Sequence, residues 1–167
     1  FIKGRKVLMT VCETETVTDE YKIMFDLFPG SPWYVPSEFC QTRLSKQFQS
    51  ITFGIIRHYV PPCIKATNPA SFKYTFYHIG NILDKRKNIL AVMRAFAKIK
   101  TPNMELLLKS TGLGDIETPD EGVTVINGII SDEDMNNIHE RCHCYVSCSF
   151  SEGVGMGAVE AAARYKP

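Results

Sequence analysis

Net charge is almost missing from this sequence: 19 Lys plus Arg stand against 18 Asp plus Glu, leaving +1. So even a balance builds no long-range field, which excludes nucleic acid or an anionic membrane as a partner drawn in by global charge. Any anion site has to be local. No apolar run approaches the roughly 18 residues of a membrane helix. The opening Phe1-Ile2-Lys3-Gly4-Arg5-Lys6 has no secretory apolar core with a small-residue cleavage site, so a cytoplasmic chain is the expectation. An initiator Met is missing as well, and the sequence stops at Lys166-Pro167, straight after a helical pattern and where a parallel sheet would start its next strand. A piece of a longer protein is expected.

Cysteine is too sparse for a disulfide framework: six residues (12, 40, 63, 142, 144, 148), several inside apolar periodic segments where Cys behaves as a small hydrophobe. No Cys-x-x-Cys pair exists. Cys142, Cys144 and Cys148 with His139 and His143 therefore lack zinc spacing, and packing is expected there, with no metal. No Gly-x-Gly-x-x-Gly turn opens an early crossover with an acidic residue about twenty positions later, which speaks against a dinucleotide oxidoreductase. His58 and His78 have no assignable partner and read as structural. Trp33, the single tryptophan, and Tyr34 read as ordinary strand residues.

What is present is a strong alternation of strands and helices, in a 167-residue chain that is 44% hydrophobic and 11% aromatic. That composition suits an ordinary packed α/β core and excludes disorder. Val7 to Cys12 reads as a buried parallel strand, and Thr18-Asp19-Glu20 opens a helix with Tyr21, Phe25 and Phe28 on one face, ended by Pro29-Gly30. Trp33-Tyr34-Val35 is a second strand. Ser37 is a predicted N-cap for a helix lined by Phe39, Leu44 and Phe48, and a third strand lies within Ile51 to Val60. From Pro61 to Lys73 the composition turns to Pro, Asn, Ser, Ala and Lys without periodicity, which places a domain boundary and surface linker there, between residues 1–60 and 74–167.

The second part repeats the alternation. Tyr74 to Ile79 is a strand and Gly80 to Asn88 a polar loop; Ile89, Val92, Met93, Phe96 and Ile99 form one helical stripe. Leu106-Leu107-Leu108, Val123 to Ile126 and Tyr145-Val146-Ser147 are further strands. Ser131 with Asp134 resembles a capping box opening a helix faced by Met135, Ile138 and Cys142, and Gly157 to Tyr165 is the last helix. The fold class is α/β, a Rossmann-like parallel sheet with flanking helices. In such sheets ligands bind beyond the carboxyl ends of the strands, so the loops starting at Gly80, Lys109, Gly128 and Ser149 should converge on one cleft.

One segment carries chemistry most directly. Ser149-Phe150-Ser151-Glu152-Gly153-Val154-Gly155-Met156-Gly157 joins a strand to a helix through three glycines, leaving backbone N–H groups to face an anion at the helix N-terminus. Glu152 lies in the loop and Glu160 on the helix, so two carboxylates meet a ligand at different depths, an arrangement suited to a polyhydroxylated molecule. Gly-rich loops also close many ordinary α/β units, and Glu160 reads equally as a solvated helical glutamate.

The paired glutamates in Ser-Glu-Gly-Val-Gly-Met-Gly-Ala-Val-Glu, seven residues apart, resemble the signature of glycosyltransferase family 4, a retaining family of GT-B fold. The similarity extends back through Tyr145-Val146-Ser147 and Asn127-Gly128-Ile129-Ile130-Ser131 to Gly80-Asn81 and Lys87-Asn88. Weaker similarity touches Cys12-Glu13-Thr14-Glu15 and Val35-Pro36-Ser37-Glu38-Phe39. The resemblance implies a partial GT-B architecture: residues 1–60 as the end of an acceptor-side Rossmann-like domain, 61–73 as the linker, and 74–167 as a nucleotide-sugar-binding domain incomplete at its C-terminus. It implies transfer of a sugar from a nucleoside diphosphate-sugar donor to a glycan, lipid or small-molecule acceptor with retention of configuration. No cofactor or metal is implied, the donor being a substrate, and the absent part of the enzyme leaves room for peripheral membrane contact.

By the same resemblance, Lys87 contacts the donor diphosphate and stabilises charge on the leaving group. Glu152 contacts the transferred sugar, Glu160 the ribose hydroxyls, and the amides from Gly153 through Gly155, Met156 and Gly157 face phosphate and sugar. Gly80, Gly128 and Ile130 line the donor site. Asn81 stands where the family usually has Arg and brings no fixed positive charge, which Lys85 or Arg86 would have to replace. The Lys85-Arg86-Lys87 run otherwise reads as a solvated patch, a reading its position beside Gly80 reverses for Lys87 only. Lys109, followed by Ser110 and Thr111, reads as a phosphate or hydroxyl contact at the end of its strand. A non-catalytic nucleotide-sugar-binding module is the competing reading.

Overall fold

The computed structural model describes residues 7–60, 72–112 and 121–167. Most of the predicted linker, Cys63 within it, and the Gly- and Asp-rich loop at 113–120 lie outside the described residues. The chain divides into two compact units, Phe1–Tyr59 with Ser151–Val154, and Val60–Phe150 with Gly155–Pro167.

The first unit runs β1 (Leu8–Met9), α1 (Asp19–Asp26), β2 (Trp33–Val35), α2 (Glu38–Gln47), β3 (Phe53–Ile55), with the strands parallel in the order β1-β2-β3. Its core is aromatic: the Phe25 ring meets Trp33 at 4.7 Å, Phe48 at 5.0 Å and Phe53 at 5.5 Å, each edge to face. Ser37 caps α2 as predicted, its Oγ accepting from the Cys40 amide. Two expectations are corrected. Strand pairing covers Leu8–Met9 rather than all of Val7 to Cys12, and Phe39 is 40% exposed. Cys40 takes the buried place on that helix beside Leu44, because it lies four residues from Leu44 and so on the same face.

The second unit runs β4 (Tyr74–Ile79), α3 (Ile89–Ile99), β5 (Met104–Ser110), β6 (Val123–Asn127), α4 (Asp132–Arg141), β7 (Cys144–Tyr145), α5 (Met156–Ala163). All pairings are parallel and the order is β6-β5-β4-β7. Leu106, Leu107 and Leu108 are buried on both faces of β5, as a central parallel strand requires. Leu106 and Leu108 pack with Ile89, Val92 and Phe96 of α3, whereas Leu107 packs with Tyr77, Ile138, Cys142 and Ala161. Ile99, predicted on the α3 stripe, is the last residue of the helix and is 53% exposed. β7 pairs only through Cys144 and Tyr145, not through Tyr145 to Ser147. The Ser131–Asp134 box forms, with the Asp134 amide donating to Ser131 Oγ at 3.1 Å and that hydroxyl donating to the Asp134 carboxylate at 2.7 Å. Among the described residues no helix is long and apolar enough to cross a membrane.

Candidate donor site at the strand switch

In the second unit the chain runs outward from β4 through β5 to β6, then returns to β4's other side with β7. That reversal is a topological switch point, and the crevice beyond the carboxyl ends of β4 and β7 is where such sheets take ligands. Register sets Ile79 beside Lys109 and Lys109 beside Ile126, so the chain leaves at Gly80, Thr111 and Gly128 from one edge.

The loop after β4 is built by short-range bonds. Asn81 Oδ1 accepts from the Leu83 amide at 3.2 Å, Asp84 Oδ1 caps a single 3₁₀ turn at Lys85–Lys87, and Asn88 takes a left-handed conformation at φ 50° to enter α3. The Lys87 chain folds over Gly80: a Cβ at Gly80 would lie 3.7 Å from Lys87 Cε. Arg86 is committed to Asp84, its Nη2 2.7 Å from Oδ2. The Asn81 oxygen serves the turn and lies against Gly112, where a Cβ would meet it at 2.5 Å. Gly112 escaped the sequence reading, and only a loop-to-loop approach explains it.

Two bonds stitch this loop to the one after β7. The Phe150 amide donates to the Arg86 carbonyl at 2.8 Å, and Asn88 Nδ2 donates to the Cys148 carbonyl at 3.2 Å. Lys87 and the approach to α5 are therefore held in one place. At α5, Gly155 is the N-cap with φ 72°, a left-handed conformation that favours glycine. Ala158 and Val159 donate to its carbonyl, while the Met156 and Gly157 amides donate to none of the described residues. Those two N–H groups stand at the positive end of the helix, ready for an anion. Gly157 is required sterically: a Cβ there would fall 2.3 Å from Tyr145 Oη and 3.2 Å from the Ile79 carbonyl oxygen.

The structure separates Glu152 and Gly153 from this cluster in their packing. Both belong to Ser151–Val154, which groups with the first unit. There the Gly153 carbonyl accepts from Ser37 Oγ at 3.1 Å, and a Cβ on Gly153 would collide with Val11 Cγ2. Packing accounts for that glycine.

Lys109 is fully buried, and burial lowers its pKa. Its ammonium donates to the carbonyls of Ser110 at 2.6 Å and Gly128, tying the end of β5 to the loop after β6 that carries Ile130. Gly128, at φ 97°, takes a conformation suited to glycine. Lys109→Met keeps the stem's volume but strips the buried Ser110 carbonyl and the half-buried Gly128 carbonyl of their donor. It is expected to cost about 2–4 kcal/mol, read as a lower urea midpoint at unchanged slope.

Glu160 projects from α5 toward α4. Its Oε2 lies 3.5 Å from His139 Nε2, and its side chain remains 34% exposed. The imidazole opposite it is the main cause holding the Glu160 carboxyl below its ordinary pKa, against the opposing effect of burial. His139, read from sequence only as a discarded zinc ligand, is fully buried and bonds Tyr77 Oη through Nδ1 at 2.9 Å. Its spacing held a signal, because His139 sits four residues after Met135 and beside Ile138 on the apolar face of α4. Among the described residues no group of three or more His, Cys, Asp or Glu could hold a metal ion.

No family model and no curated protein sequence matches the chain. Solved structures do. WaaG, a glycosyltransferase involved in lipopolysaccharide biosynthesis, is similar at a TM-score of 0.65 and 14% identity, over 84% of this chain and 44% of that one. The GtfA/B complex is similar at a TM-score of 0.63 and 18% identity, over 96% of this chain and 36% of that one. The chain thus spans less than half the length of either, and what it shares with them is the fold: a Rossmann-like, partial GT-B architecture.

Proposed function

We propose that the protein is part of a retaining glycosyltransferase, akin to family 4, whose second unit binds a nucleoside diphosphate-sugar at the β4–β7 switch. One observation carries this reading: Lys87 folds over Gly80 at the end of β4, and Gly157, whose amide like that of Met156 has no partner among the described residues, packs against the Ile79 carbonyl at the same strand end. A cation and a helix N-terminus on one crevice suit a diphosphate.

In the reaction the bond between the anomeric carbon and the diphosphate oxygen breaks, and its electron pair leaves with the nucleoside diphosphate. An acceptor hydroxyl forms the new bond and loses its proton. Negative charge grows on the leaving oxygen, and Lys87 with the α5 amides would stabilise it without reorganisation. Glu160 would hold the ribose and Glu152 the transferred sugar, on the strength of the resemblance of their spacing.

The test is a screen of UDP-, GDP-, ADP- and TDP-sugars for binding and for nucleotide release. One donor is expected to be consumed, and Glu152→Ala is expected to keep binding it while losing most turnover. Binding without release in the unaltered full-length protein would instead establish the non-catalytic module.

A further inference from the structure

Three buried or half-buried groups from three elements line up, and the inner two have no role in the steps above: Tyr77 on β4 and His139 on α4, leading to Glu160 on α5. The polarity of this line follows from the chemistry of each group. Glu160, with its pKa lowered, is ionised at neutral pH and only accepts, so a proton on His139 Nε2 must face it. Burial raises the Tyr77 phenol's pKa, so it keeps its proton and can donate to Nδ1. With Nδ1 accepting from Tyr77, the Nε2 hydrogen is turned toward Glu160, 3.5 Å away. Arg164 fixes the same two helices, its Nη1 donating to the Glu160 carbonyl at 3.0 Å and its Nη2 to Asn136 Oδ1 at 2.7 Å. The Glu160 backbone and one carboxylate oxygen are thereby positioned from α4, and the exposed part of the carboxylate is left for a ligand.

We infer that His139, held in one tautomer by Tyr77, is a positioning residue that aims the Glu160 carboxylate at the ribose diol of the donor and so sets preference for ribo- over 2′-deoxyribonucleotides. The inference rests on the proposed donor site. A fully buried imidazole nitrogen without a hydrogen bond is costly; among the described residues His139 Nε2 has none, and the group it faces at 3.5 Å is the one carboxylate of α5. A carboxylate free to rotate would accept from one hydroxyl at a time, whereas an aimed one receives the 2′-hydroxyl in fixed geometry.

The experiment measures dissociation constants of UDP, GDP and ADP against dUDP, dGDP and dADP for the purified protein and its variants. For the base that binds, the unaltered protein is expected to favour the ribonucleotide by about tenfold, the effect of one hydrogen bond to a charged group. His139→Leu should cut that ratio to about twofold, Tyr77→Phe should fall between, and His139→Gln, which restores an N–H near Nε2, should recover most of it. Glu160→Ala combined with His139→Leu should lose no more than Glu160→Ala alone. A lower melting temperature with an unchanged ratio in His139→Leu would overturn the inference and leave His139 as packing. If that variant does not fold, an unchanged ratio in Tyr77→Phe overturns it equally. Nucleotide binding with no ribose preference in the unaltered protein would overturn Glu160 as the ribose contact, and this inference with it, while sparing the diphosphate site. Failure of every nucleotide to bind would overturn the proposed function itself.

Discussion

Lys87→Ala is expected to lower kcat/KM for the donor by about a hundredfold to a thousandfold while leaving the melting temperature within a degree or so, the usual consequence of removing one preorganised charge from a developing anion. Its backbone is secured independently of its amine: the Lys87 amide donates to the Asp84 carbonyl at 2.9 Å, and the following Asn88 fixes the entry to α3. Truncation therefore removes the charge without unmaking the loop. Lys87→Arg is a partial replacement at best, because a planar guanidinium does not follow the path of a flexible amine over Gly80. Steady-state kinetics beside a thermal melt decide the matter. Activity of Lys87→Ala within about threefold of the parent would remove this loop from the leaving-group site.

Gly157→Ala is expected to be the most damaging single methyl in the second unit. The added carbon would fall within 2.3 Å of Tyr145 Oη and 3.0 Å of its Cζ, with the Ile79 carbonyl at 3.2 Å on the other side. Overpacking of this kind costs about 1–3 kcal/mol, and relief by tilting α5 would move the Met156 and Gly157 amides off the crevice. Stability and donor affinity should fall together. Tyr145→Phe in the same chain removes the nearest atom and gives up the long 3.4 Å bond to Ile79, so the double variant should recover part of the lost stability. Urea titration of the four proteins tests it. A Gly157→Ala protein as stable as its parent would mean that α5 does not pack on β7 as described.

Much of the architecture was legible because burial in a parallel sheet leaves a strong mark on the chain. The unbroken apolar run at Leu106 to Leu108, the 3.6-residue stripe through Ile89, Val92 and Phe96, and the Ser37 and Ser131 caps are local signals, and each element forms where they place it. Strand ends were harder to place. Val7 to Cys12 and Tyr145 to Ser147 have the composition of strands throughout, but pairing covers only Leu8–Met9 and Cys144–Tyr145, although the partner strands run on to Val35 and Ile79. Exposure of Phe39 and Ile99 was as hard to read, since a stripe specifies a face and not how far the neighbouring surface extends.

In the candidate site, the glycines, Lys87 and Glu160 stood out by type and spacing. What each does was decided in three dimensions. Lys109 is spent on two carbonyls, Arg86 on Asp84, Gly153 on Val11 and the oxygen of Asn81 on its own turn. A charged residue in a sequence carries no record of whether its partner lies nearby, and the answer depends on which loops the sheet order brings level. The sequence by itself determined the alternation of strands and helices, and hence a parallel α/β fold with its loops gathered at one edge, because hydrophobic periodicity and capping act over a few residues. Only the tertiary structure decided the β6-β5-β4-β7 order, the stitching of the Lys87 loop to the approach to α5, and the Tyr77–His139–Glu160 chain, because those depend on contacts between residues from 17 to 68 positions apart, which no local pattern encodes.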